Sequence, residues 1–194
     1  MASFFDRLGC YLLDVLLIFA ISSVISVFIP SKGNDINKEI TALTEKYTNG
    51  EVGSEAFINE YQDLMYKYQK ENYLTTVISV GLNFIYFVVF AYFNKGQTIA
   101  KKLMNIKVVD NKTEERPKFW QMLVRNVFIY SLLSNVIILI LLFTSKNNFI
   151  YCYTLVGGFD LMFVMITVMF VLYRKDKRGL HDMMACTKVV KESV

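Results

Sequence analysis

Four long apolar blocks, at residues 8–29, 74–93, 127–145 and 149–173, alternate with polar stretches along the chain. The first holds one charge, Asp14, the last holds one, Asp160, and the middle two hold none. As helices rising about 1.5 Å per residue, they cover roughly 28 to 38 Å, enough to cross a hydrocarbon core of about 30 Å. The pattern predicts an all-α membrane protein with four spans in a single domain. A cleaved signal peptide competes for the first block. It is too long for the apolar region of one, only Arg7 precedes it, and no small-residue cleavage site lies ahead of Pro30. It is therefore read as a retained span.

The polar stretches carry periodicities of their own. In the 30–73 loop, Ile36, Ile40, Leu43 and Tyr47, then Phe57, Tyr61, Leu64, Met65 and Tyr68, recur at helical spacing on either side of Asn49-Gly50 and Gly53. They predict a hairpin of two amphipathic helices, the second running into the second span. Asn105-Ile106-Lys107-Val108-Val109 and Cys186-Thr187-Lys188-Val189-Val190 end in the same Lys-Val-Val. Short β-branched runs of this kind predict a small two-stranded sheet. Pro117 suits the first turn of an amphipathic helix (Phe119, Trp120, Leu123, Val124) leading into the third span, with Trp120 at the membrane interface.

Composition agrees: 54% of the 194 residues are apolar or aromatic and the mean hydropathy is +0.37. A net charge of +4 is too mild for a nucleic-acid partner. Cys10, Cys152 and Cys186 make no C-x-x-C pair, and His181 stands alone, so neither a zinc site nor a disulfide framework is expected. Fifteen of the Lys and Arg residues lie before the first block, in 94–126 and in 174–194, against six on the other side, where the 30–73 loop also holds eight acids. The positive-inside bias places both termini and the 94–126 segment in the cytoplasm, with the helical hairpin outside.

The cytoplasmic stretches carry the most specific signal. Residues 96–109 read Gly-Gln-Thr-Ile-Ala-Lys-Lys-Leu-Met-Asn-Ile-Lys-Val-Val, and residues 180–190 read Leu-His-Asp-Met-Met-Ala-Cys-Thr-Lys-Val-Val. With Arg7 and Asp14, and over nearly the whole chain, they resemble the RDD family of small bacterial integral membrane proteins. Ala100 departs from the family's usual Gly, and the outer loop is longer than in a minimal member. The resemblance makes Arg7 the family arginine and Asp14 its first aspartate, and leaves Asp182 and Asp160 as alternatives for the second. Gly96, Thr98, Lys101, Lys102, His181 and Thr187 fall on its motifs. It implies a bacterial cell-membrane location and, for some members, monovalent cation/proton antiport.

The residues themselves exclude several chemistries. Gly96 to Lys102 lacks the second glycine and the G-K-[ST] of a phosphate loop, so Lys101 and Lys102 are read as headgroup contacts at the interface. His181-Asp182 has no nucleophile at a fixed spacing, and no enzymatic activity or cofactor is indicated. Arg7 and Asp14, seven residues apart on one helix face, are expected to interact directly or through a neighbour, or Asp14 to be held by Arg125 or the Lys101 region. Asp160 falls near mid-span, level with Asn83, Asn135 and Ser22-Ser23 and beside Gly157-Gly158, where backbones can approach. It is read either as a proton-exchanging cation site or as a neutral acid bonded to Asn83 or Asn135. Two functions follow: an ion or solute translocator, expected to be a homo-oligomer, that works through Asp14 and Asp160; or a non-catalytic accessory protein that holds another membrane protein or an anionic lipid.

Overall fold

The structure, a computed structural model, describes residues 1–29, 33–144, 146 and 148–192. Helix α1 (Phe4–Val27) opens on a capping box: the Asp6 amide donates to Ser3 Oγ (3.1 Å), and the Ser3 amide donates to the Asp6 carboxylate (2.9 Å). Helices α2 (Gly33–Thr48) and α3 (Ser54–Glu71) form the expected hairpin. Ile36 and Leu43 are buried, and Tyr47 stacks on Phe57 at 4.3 Å. Tyr66 docks the hairpin on the bundle, its hydroxyl donating to the Leu142 carbonyl (3.1 Å) and its ring meeting Phe149 edge-on.

Only Asn72 separates α3 from the second span, which is not one regular helix. It comprises α4 (Tyr73–Phe84), a π-helical turn (Ile85–Phe90) and α5 (Ala91–Phe93). At the turn, the Asn126 amide inserts into the ladder and donates to the Phe87 carbonyl (2.7 Å), a recognised cause of local unwinding.

The third apolar block differs from its expected shape. In place of a single helix over 127–145, α7 (Phe119–Ile129) carries the amphipathic stretch into the block, and α8 (Leu132–Thr144) continues it at 66° to α7. Ser131, at φ +52°, makes the break. No Gly or Pro marks it, because the turn is held by tertiary packing: Tyr130 stacks on Phe87 (3.5 Å) and on Tyr11 (5.7 Å). The last block is a continuous helix, α9 (Phe149–Tyr173). Among the described residues, three helices are long and apolar enough to cross a membrane, or four if α7 and α8 together make one span. Phe159, Leu161, Met165 and Met169 of α9 lie exposed, the surface of a helix with lipid as its solvent.

One end of the bundle is closed by two similar units. In the first, α6 (Ile99–Leu103) leads through Asn105 to β1 (Ile106–Asp110); in the second, α10 (Leu180–Met184) leads through Cys186 to β2 (Thr187–Lys191). Asn105 and Cys186 both have φ +52°. The strands pair antiparallel with Val108 opposite Val189, so the repeated Lys-Val-Val runs do form the sheet. Gly96 begins the first unit at φ +84°, where an added Cβ would stand 2.4 Å from the Val108 carbonyl oxygen.

Candidate functional site

Two buried carboxylates organise the sheet end of the bundle. Asp14, on α1, is saturated by donors: Tyr86 Oη at 2.5 Å, Thr98 Oγ1 at 2.6 Å and the Ala100 amide at 3.2 Å. Thr98 also caps α6, accepting from the Lys101 amide, and Tyr86 Oη accepts from the Ile99 amide (3.2 Å). The first carboxylate thus fixes the start of α6 and, through Tyr86, the π-helical turn.

Asp182, on α10, is wholly buried and takes the arginines. Arg7 Nη1 lies 2.8 Å from Oδ2, and Arg125 pairs with Oδ1. The Gly179 amide (3.2 Å) and Thr187 Oγ1 (3.5 Å) complete its shell. Gly179 leaves the space this requires, since a Cβ there would meet His181 at 2.8 Å and Thr167 at 2.9 Å. Burial and the nearby Arg125 hold His181 well below its ordinary pKa, so its imidazole is neutral.

A third cation has no ion-pair partner among the described residues. Lys101 points inward and is buried, and burial together with Arg125 lowers its pKa to about 8. It lines a cavity of about 190 Å³ with Arg7, Arg125 and His181. Arg7 Nε and Nη2, Arg125 Nε, Thr167 Oγ1 and His181 Nδ1 are buried there without a hydrogen-bond partner among the described residues. Buried polar groups are ordinarily satisfied, and unpaired guanidinium N–H groups are costly, so this concentration stands out. Three cations against two carboxylates leave one positive charge in excess.

The RDD family model matches residues 1–186. The chain belongs to the RDD family. Comparison with the curated proteins and with the solved structures gives no match.

In this RDD protein, Arg7 does not pair with Asp14. It reaches Asp182, 175 residues away in sequence, while neutral donors hold Asp14. Of the two aspartates left open for the second family position, Asp182 is the one in contact with Arg7. Lys101 and Lys102 part company: the short α6 turns Lys102 outward and Lys101 into the core, against the reading of both as headgroup contacts. Gly96, Thr98, His181 and Thr187 all fall at this end of the bundle.

The residues expected together near mid-span do not form one cluster. Asp160 accepts from Ser134 Oγ at 2.6 Å, because α8 is its neighbour there. Asn83 and Asn135 donate to the carbonyls of Ser79 and Ser131, four residues back on their own helices, and so have no need of Asp160. They share instead a polar groove of about 340 Å³ that rises along α4 towards Gln69 and Tyr68 of the hairpin. Ser23 also bonds its own helix, and Gly157 and Gly158 face open space, with no backbone packed against them.

Sequence reasoning did not single out Tyr86, Tyr130 or Thr167, and considered Arg125 only as a partner for Asp14. Arg125 carried a readable signal, a charge set among apolar residues in Met122-Leu123-Val124-Arg125-Asn126-Val127. The tyrosines carried none, since an aromatic residue in an apolar block is ordinary.

Proposed function

We propose that this RDD protein is a non-catalytic membrane protein that binds an anionic group in the Arg7–Lys101–Arg125 cavity. The accessory reading is thereby preferred to cation/proton antiport. One observation carries the choice: the excess of buried positive charge beside the cavity, on arginines whose buried N–H groups have no hydrogen-bond partner among the described residues. An oxyanion satisfies that charge and those donors together, and Arg is the side chain best shaped for oxyanions. A monovalent cation needs several converging oxygens. Asp14 and Asp182 have theirs engaged by donors, and Asp160 offers one carboxylate beside one hydroxyl. On this reading the cavity lies at the cytoplasmic side of the membrane, a placement supported by the bias of basic residues towards that end.

The test is the thermal stability of the purified protein, titrated with oxyanions both free (inorganic phosphate, acetate) and as lipid headgroups, and separately with Na⁺, K⁺ and Li⁺. Proton-coupled flux of the same cations is measured in proteoliposomes. The anion reading expects stabilisation by an oxyanion of at least one source and no protein-dependent cation flux. Stabilisation by a cation with coupled proton movement, or indifference to every oxyanion, overturns it.

A further inference from the structure

The walls of the cavity say more about its occupant than its charges do. Leu8 and Tyr11 of α1 form one side, Val164 and Val168 of α9 the other, and Ile129 of α7 the back. Helix α1 packs chiefly on α4 and α6, and α9 on α3, α7, α8 and α10, so the two helices that wall the cavity lean mainly on other elements. Leu8, Tyr11 and Val168, at its rim, are each more than a third exposed. The mouth is therefore a slot between two apolar helices, and the cations lie at its inner, sheet-side end. A soluble anion would have to cross this apolar rim, whereas a chain of methylene groups fits between the walls.

The level of the slot agrees. Phe5, Phe93 and Trp120 stand exposed around the sheet end, as aromatic and apolar residues do where a protein meets the headgroup region. A headgroup at that depth reaches Arg7, Lys101 and Arg125 while its acyl chains stay in the bilayer.

Resting on the anion-binding reading above, the geometry points to a membrane lipid with one net negative charge, admitted sideways between α1 and α9, as the occupant of this cavity. One negative charge balances the one cation in excess. His181 and Thr167 line the same cavity, and their Nδ1 and Oγ1, buried without a hydrogen-bond partner among the described residues, would accept from a headgroup hydroxyl after a small side-chain adjustment. Phosphatidylglycerol, with a single phosphodiester charge and two glycerol hydroxyls, is the probe that combines both features.

The full chain, purified and placed in nanodiscs of phosphatidylcholine with or without phosphatidylglycerol, tests this by thermal stability and by native mass spectrometry of retained lipid. Two variants accompany the wild type. Lys101→Met removes the unpaired cation and touches neither arginine pair, and Val168→Trp narrows the mouth without changing charge. The expected result is retention of one phosphatidylglycerol by the wild type with a matching rise in stability. Each variant should fold and lose about tenfold or more of that affinity, the scale of one charge-assisted hydrogen bond or of a blocked site. Stabilisation by inorganic phosphate or acetate but not by phosphatidylglycerol would overturn the lipid and leave the anion reading standing. No response to any oxyanion would remove both. Equal phosphatidylglycerol retention by wild type and both variants would mean an annular lipid and would also overturn the inference.

Discussion

The α6–β1 and α10–β2 units are built alike and charged oppositely. Aligned on their shared Lys-Val-Val, Lys101 falls opposite Asp182, Gly96 opposite Lys177, and Asn105 opposite Cys186. The left-handed residues recur at the same places, and the strands pair about Val108 and Val189. Yet one unit buries a cation with no ion-pair partner among the described residues, and the other buries an anion shared by two arginines. The backbone design is thus a holder, and the side chain at the third position of its helix decides what it holds. Symmetry of fold with asymmetry of charge leaves the core one positive charge in excess.

The strongest way to break this arrangement is at Asp182. Asp182→Asn strands Arg7 and Arg125 together, and removing one partner of a buried ion pair costs about 3–5 kcal/mol. Thermal unfolding should show a large drop, or the protein should fail to accumulate. A variant as stable as wild type would mean that the arginines are satisfied by other groups.

Next in size is a contrast between equivalent turns. Gly96→Ala forces a side chain into the left-handed region and against the Val108 carbonyl, so a loss of about 1–3 kcal/mol is expected. Lys177 occupies the matching turn at φ +46° and is exposed, and Lys177→Gly should stay within about 1 kcal/mol of wild type. Chemical denaturation of both variants measures the difference, and equal losses would mean that the two turns carry the same packing.

Lys101 sharpens the comparison through pH. Its pKa falls from 10.5 to about 8 on folding, so between those values the unfolded chain binds a proton that the folded protein has released. Stability of the ligand-free protein should therefore rise with pH across that window, against Asp14, Cys10, Arg7 and Arg125 as its charged or titratable surroundings. Lys101→Met should flatten the rise, and oxyanion affinity should weaken above about pH 8. An unchanged profile in the variant would assign the titration elsewhere.

The smallest effect is expected at Asp160. Its bond to Ser134 is a single interhelical contact, and Asp160→Asn should change stability by no more than about 1 kcal/mol. Asn83 and Asn135 do not depend on it, so Asp160→Leu should leave the polar groove intact. Loss of a proton-coupled flux in Asp160→Asn, in a protein shown to carry one, would restore the cation-exchange reading.

Much of the fold was legible because it rests on local patterns. Period and turn residues gave the hairpin, the repeated β-branched runs gave the sheet, and length with apolarity gave the long helices. What escaped was decided by contacts distant in sequence. The bend at Ser131 depends on the packing of Tyr130 between Tyr11 and Phe87, and the opposite fates of Lys101 and Lys102 depend on which way a five-residue helix is turned. Motif residues named the right end of the bundle, but not that Arg7 would bypass Asp14, on its own helix, for Asp182.

That long-range pairing sets an order on biogenesis. As the ribosome delivers the chain, Arg7 enters first and Arg125 much later, and both wait for Asp182, which follows them in the sequence. The Ala2 amide likewise waits for the Val189 carbonyl, which it meets at 3.0 Å. Until then the nascent protein holds two guanidinium groups in or beside the bilayer without their counter-charge. A chain interrupted before Asp182 keeps that defect permanently, because neither guanidinium can meet the carboxylate that pairs them both.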